Sequence, residues 1–205
     1  MERRKLPAFA VRSLYSPIKS FSSVKGERSY ANPLIFLLWF GLITAFLSGV
    51  LNELGVDYSN PSNAGGSAQL FAPWVIQNFA PNLGGPARVL VFALSVEAGY
   101  LILTSLSVVV VAAIARALVQ GSEARQSLIL KSLKAVCYGM GPGLFFGWIP
   151  NPVYFFGIWA TVWQALAIYV YFDLTRIGAI TTVMLWVSAV GVIHDIVSFL
   201  WAWTR

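Results

Sequence analysis

The chain has 205 residues, of which 58% are hydrophobic and only 11% are charged. Soluble domains average about 45–50% apolar and about 25% charged residues, so this composition indicates a membrane protein. The net charge is +6, and half of the Lys and Arg side chains precede the first long apolar stretch. That placement favours the anionic face of a lipid bilayer over nucleic acid as the partner. The only cysteine, Cys137, excludes an internal disulfide and a Cys-based metal motif, and we expect it to be a packing residue.

Residues 1–32 form a basic segment, predicted to be cytoplasmic, that contains a short amphipathic helix. Ser16 followed by Pro17 is typical of a helix N-terminus, and Gly26 is a reasonable stop. The pattern places Ile18 and Phe21 on an apolar face and Lys19 and Lys25 on the other side. Two interpretations are open. The helix lies on the cytoplasmic leaflet as a membrane-surface helix, or it packs against the rest of the protein.

The remainder of the chain contains five apolar runs, each near the roughly 20 residues that a membrane-spanning helix needs. These runs are Pro33 to Leu54, Ala87 to Ala115, Leu130 to Trp148, Val153 to Phe172 and Gly178 to Trp203. The predicted fold is therefore all-α: a polytopic membrane protein with five transmembrane helices over residues 33–205 and an N-terminal amphipathic interfacial helix. The third run contains Pro142, which favours a kink. The predicted external loop, residues 55–86, holds a candidate interfacial helix from Leu70 to Phe79.

The distribution of cationic residues predicts the orientation. With five spans, 12 of the 14 Lys and Arg fall on the side of the N-terminus, and only Arg88 and Arg205 fall on the other. Since cytoplasmic segments carry the excess of Lys and Arg, the N-terminus is expected to be cytoplasmic and the C-terminus outside or lumenal.

Small residues at four-residue spacing occur in two of the predicted spans, where they permit close helix packing. They are Gly41, Ala45 and Gly49 in the first span, and Gly139, Gly143 and Gly147 in the third. Such stripes usually join helices of one chain, and assembly of a homo-oligomer through either stripe is the alternative.

Several segments resemble the Yip family of five-span, Ypt/Rab-interacting membrane proteins and their prokaryotic relatives. They are "SLYSPIKSFSSVKGERSYANPLIFLLWF", "CYGMGPGL" and "GIWATVWQALAIYVYFDLTRIGAITTVML". Tyr138 and Pro142 match the family's tyrosine-proline spacing in the third span. The resemblance implies a five-span fold and, from eukaryotic members, membrane shaping and binding of small GTPases. The short cytoplasmic segment favours a prokaryotic plasma membrane.

Three ionisable residues lie inside predicted spans, where such groups are costly and are expected to face the bundle interior. Glu97 lies in the second span, and His194 and Asp195 lie at a similar depth in the fifth. One hypothesis is a proton- or cation-binding site formed by these three side chains. The alternative is a hydrogen-bonded cluster that only joins helices.

No catalytic motif is present, and neither a cofactor nor a bound metal is expected. The sequence predicts a membrane-organising or partner-recruiting adaptor. The lipid bilayer is the expected surrounding, a protein is the expected partner at the cytoplasmic face, and nucleic acid is not a partner. The alternative function is a small proton- or cation-coupled channel or transporter that uses the Glu97, His194 and Asp195 cluster.

Overall fold

The computed structural model describes residues 6–58, 67–118, 125–150 and 153–203. It gives the backbone but no side chains at 67–68, 70–71, 125–126, 153–158 and 190–203. The described residues form helices and no strand, in agreement with the predicted all-α class. The helices are α1 (Leu6–Tyr15), α2 (Pro17–Ser23), α3 (Ala31–Glu53), α4 (Ser67–Phe79), α5 (Gly85–Leu118), α6 (Arg125–Gly139), α7 (Gly141–Phe146), α8 (Val153–Phe172) and α9 (Arg176–Trp203).

The long helices pack side by side as a bundle. Helix α5 is central, since it contacts α3, α4, α6 and α9. Helix α8 packs against α6 and α9. Helices α1 and α2, with the turn that follows them, form the N-segment (residues 6–27), which packs against α7 and α8.

One glycine and one aspartate with positive φ angles shape two of the connections between helices. Helix α3 ends in a Schellman arrangement, in which Gly55 adopts a φ of 100° and the Val56 amide donates to the Leu51 carbonyl at 2.9 Å. Asp173 has a φ of 52° in the short turn between α8 and α9. A left-handed conformation is tolerated best by Gly, Asn and Asp, which explains these residue types at the two turns.

The third predicted span is not one continuous helix. Helix α6 ends at Gly139 and α7 begins at Gly141, with Met140 between them. Pro142 has no amide hydrogen to continue the α-helical pattern and occupies the first turn of α7, where that loss is tolerated. The proline therefore accounts for a division of the predicted span rather than for a gentle bend.

Among the residues that the structure describes in full, two helices, α3 and α5, are long and apolar enough to cross a membrane. The core helix of a soluble protein passes the same test, but it is mostly buried. Here only 39% and 28% of the most apolar parts of α3 and α5 are buried by the rest of the protein. Exposed apolar side chains on these helices include Trp39, Leu42, Phe46, Leu94, Ile102 and Val109. This surface is compatible with a membrane protein.

Candidate functional site

Glu97 is a buried carboxylate in the middle of α5. The residue is 8% exposed, and neither carboxylate oxygen has a hydrogen-bond partner among the described residues. Its carboxylate lies against α3 at Gly41, where an added Cβ would be 2.6 Å from Oε2. Gly41 therefore provides the space that the Glu97 side chain occupies.

The buried face of α5 carries further polar residues. Glu97, Tyr100, Thr104 and Ser107 are all at most 8% exposed and follow one another at spacings of three or four residues. This spacing places them on one face of the helix. The Thr104 hydroxyl lies 3.8 Å from Sδ of Met140, at the break between α6 and α7. This polar stripe was not predicted, although its helical spacing is visible in the sequence.

His194 and Asp195, the other members of the predicted cluster, lie on α9, but their side chains are outside the described residues. Helix α9 does pack against α5, which carries Glu97. The meeting of the three side chains stays a prediction.

The carbonyl groups around α7 are bonded by side chains from other parts of the chain. The Thr44 hydroxyl donates to the Leu144 carbonyl, and the Tyr58 hydroxyl donates to the Trp148 carbonyl at 2.6 Å. The Gln69 amide donates to the Gly147 carbonyl at 2.7 Å. Buried backbone carbonyls outside a regular helix need hydrogen-bond donors from elsewhere in the protein. These bonds provide such donors beside the divided span.

The two residues of the tyrosine-proline motif lie on either side of that division. Pro142 is buried in the first turn of α7, and Tyr138 is fully buried near the end of α6. The Tyr138 ring packs between Phe9 of α1 and Phe36 of α3, with ring centroids 4.8 and 5.2 Å away. The motif therefore lies where the N-segment meets the bundle.

Lys134 attaches the N-segment to α6. Its ammonium group donates to the carbonyls of Val24 and Lys25, each at 3.0 Å, and to the Glu27 carbonyl. The residue is 2% exposed and its ammonium lies 5.8 Å from the ring centre of Tyr171. In the sequence Lys134 is one of the cationic residues that predict the orientation, whereas in the structure its ammonium bonds carbonyls of a turn that would otherwise be buried and unpaired.

The N-segment packs on the bundle through one face. Phe21 is fully buried and its ring centre lies 6.0 Å from that of Tyr171. Lys25 forms an ion pair with Asp173, and the Trp163 indole donates to the Ser13 carbonyl at 2.8 Å. This is the packing alternative that the sequence left open for Phe21 and Lys25.

Several side chains of the N-segment are exposed. Ile18 is 46% exposed and Lys19 is exposed as well. Val11 and Tyr15 on α1 are 51% and 82% exposed. Ile18 and Phe21, which the sequence placed on one face, therefore have different surroundings.

The small-residue stripes make contacts within the chain. A Cβ at Gly49 would lie 2.9 Å from the Val89 carbonyl oxygen, and one at Gly139 would lie 2.8 Å from Cα of Gln164. Ala45 is fully buried. Gly143 has more space, with Ala160 Cβ 3.7 Å away, and Gly147 faces the carbonyl of Gly143 in its own turn. The close contacts at Gly41 and Gly49 join α3 to α5, and the one at Gly139 joins α6 to α8.

Among the described residues, no group of three or more His, Cys, Asp and Glu side chains is arranged to hold a metal ion. Comparisons with protein-family models, with curated proteins and with solved structures found no match.

Proposed function

We propose that this chain is a Yip-like integral membrane protein that crosses the bilayer five times and acts as a membrane-organising or partner-recruiting adaptor. The observation that carries the adaptor role is the folded N-segment. Lys134, Phe21 and Trp163 hold it against the bundle. Val11, Tyr15 and Ile18 of this segment are exposed. Exposed apolar and aromatic side chains on a segment that is held in place are suited to a protein partner at the membrane surface.

The five-span arrangement is supported by the exposed apolar surface of the long helices. On α9, exposed apolar side chains include Ile180, Met184 and Leu185. In this arrangement α6 and α7 together form one crossing, and the N-segment lies on the cytoplasmic side with most of the cationic residues. The bonds that Thr44, Tyr58 and Gln69 donate support the presence of irregular backbone in that crossing.

Site-specific photo-crosslinking in native membranes tests the adaptor role. A photoreactive phenylalanine analogue at Tyr15, which is 82% exposed, should give a discrete protein adduct. The matched control is the same analogue at Phe79, which is 74% exposed at the end of α4. Adding Ile18→Asp should abolish the adduct at position 15. A small GTPase is the partner class that the family resemblance implies. Adducts to lipid alone at both positions would contradict partner recruitment.

A second candidate function is a proton- or cation-coupled channel or transporter. The specific observation in its favour is Glu97, whose carboxylate oxygens are buried without a hydrogen-bond partner among the described residues. Ionisable groups inside a membrane often mark ion pathways. The polar stripe of Tyr100, Thr104 and Ser107 continues along the same face of α5 and supports such a path.

Flux through reconstituted liposomes separates the two functions. A transporter should conduct protons or monovalent cations, and both Glu97→Gln and Asp195→Asn should abolish this flux. Glu53→Gln is a matched control, because Glu53 is a partly exposed carboxylate next to Arg88 at the end of α3. Wild-type flux no greater than that of empty liposomes would eliminate the transporter and leave the adaptor.

A further inference from the structure

A groove between α5 and α6 combines apolar walls with a cationic side chain at one end. Its volume is about 270 Å³, near the lower end for ligand pockets. The lining residues are Val109, Ala112, Ala113, Arg116, Leu128 and Ile129. The two alanines are the smallest of these side chains, and Val109 is 67% exposed.

The position of Arg116 along α5 fits the headgroup region of a bilayer. Arg88, near the start of the helix, and Arg116, near its end, are 28 residues apart. At about 1.5 Å of rise per residue this is about 42 Å, close to the thickness of a bilayer that includes its polar headgroups. The two arginines therefore match the two headgroup layers.

The charges near the two arginines differ. Arg88 lies 3.7 Å from the carboxylate of Glu53. Arg116 is exposed, and none of the described residues forms an ion pair or a hydrogen bond with it. Residues 116–131 contain three Lys and Arg, at positions 116, 125 and 131, against one acidic residue, Glu123. The surroundings of Arg116 therefore attract an anion.

We propose that this groove binds an anionic phospholipid of the leaflet that faces the N-segment. Part of one acyl chain lies against Ala112, Ala113 and Leu128, and the phosphate accepts hydrogen bonds from the Arg116 guanidinium. The proposal rests on the proposed membrane topology, since it needs Arg116 at the lipid headgroups. The proposed adaptor function does not involve this groove, and lipid binding would give the groove a role.

Native mass spectrometry of the full chain in detergent tests the proposal with three probes. They are phosphatidylglycerol, zwitterionic phosphatidylcholine, and glycerol phosphate, which has the anionic headgroup but no acyl chain. Wild-type protein should retain phosphatidylglycerol best, and glycerol phosphate should not displace it. Arg116→Gln should weaken phosphatidylglycerol binding roughly fivefold, because one basic side chain near the surface contributes about 1 kcal/mol. Binding of phosphatidylcholine should change little.

Two further variants separate the groove from general surface attraction. Ala113→Phe should fill the groove and weaken binding of both phospholipids. Lys19→Gln removes an exposed cation on α2 and should leave phosphatidylglycerol binding unchanged. Equal losses in Lys19→Gln and Arg116→Gln would overturn the site, as would unchanged binding in Arg116→Gln. If glycerol phosphate displaced phosphatidylglycerol, the lipid proposal would be overturned, and the groove would be a site for a phosphate group without acyl chains.

Carbonate extraction of cell membranes distinguishes failure of this site from failure of the membrane assignment. Wild-type protein and the Arg116→Gln variant should both stay in the membrane pellet. Release of the wild-type chain into the soluble fraction would overturn the proposed function together with the lipid site. Retention in the pellet with no effect of Arg116→Gln on lipid binding would overturn the lipid site alone.

Discussion

Glu97 and Gly41 depend on each other for space. A Cβ at Gly41 would lie 2.6 Å from Glu97 Oε2, so Gly41→Ala forces the buried carboxylate to move. Because the obstructing atoms are the end of a flexible side chain, we expect a loss of only about 1 kcal/mol in stability, at the low end for an overpacked core. In a Glu97→Ala background the same Gly41→Ala change should cost much less, because the obstructing atoms are gone. A double-mutant cycle from unfolding in detergent measures this coupling, and additive effects would contradict the contact.

Lys134 is predicted to hold the N-segment in place. Lys134→Met preserves most of the length of the aliphatic side chain but removes the ammonium donor from the carbonyls of Val24, Lys25 and Glu27. Amide hydrogen exchange over residues 6–27 should accelerate at least about tenfold, while α5 and α8 stay protected. Lys19→Met is the control, since Lys19 is exposed. Equal exchange in both variants would show that packing of Phe9 and Phe21 is sufficient.

At the scale of the helix, the packing of α6 and α7 differs between two glycines of the same stripe. A Cβ at Gly139 would lie 2.8 Å from Cα of Gln164, so the backbone of α8 would have to move. A Cβ at Gly143 would make an ordinary 3.7 Å contact with Ala160. We expect Gly139→Ala to lower stability by about 1–3 kcal/mol and Gly143→Ala to change it by less than about 0.5 kcal/mol. Thermal unfolding of the two variants in one detergent measures the difference.

A larger loss of stability in Gly143→Ala than in Gly139→Ala would contradict this prediction. It would show that the tightest helix contact is made by α7 rather than by α6. A concentration-dependent oligomeric state that only Gly143→Ala disrupts would instead support the homo-oligomer alternative for this stripe.

The helices were predictable to different extents. Hydropathy alone predicts α3, α5, α8 and α9 to within a few residues, because long apolar runs define them. The start of α2 at Pro17 follows from its local residues in the same way. Helix α1 was not predicted, although its buried residues Leu6, Phe9, Ala10 and Ser13 follow the i, i+3, i+4, i+7 spacing of an amphipathic helix. The end of α6 at Gly139 required knowledge of how Pro142 is accommodated.

The candidate site was predictable only in part. An acidic residue in an apolar run predicts a side chain that faces the bundle interior, and Glu97 is buried in the structure. The contact with Gly41 and the three carbonyls that Lys134 bonds join residues more than 50 positions apart. No local pattern records such pairs, because helix packing sets them.

For the whole molecule, the proposed five-span topology makes a prediction that labelling with a membrane-impermeant maleimide can check. Cys137 is fully buried, so the wild-type chain should stay unlabelled. In intact cells Phe79→Cys and Arg205→Cys should react, whereas Tyr15→Cys should react only after permeabilisation. The odd number of crossings puts position 205 opposite the N-terminus. Labelling at position 205 only after permeabilisation would favour four spans, in which α6 and α7 enter and leave the bilayer on one side.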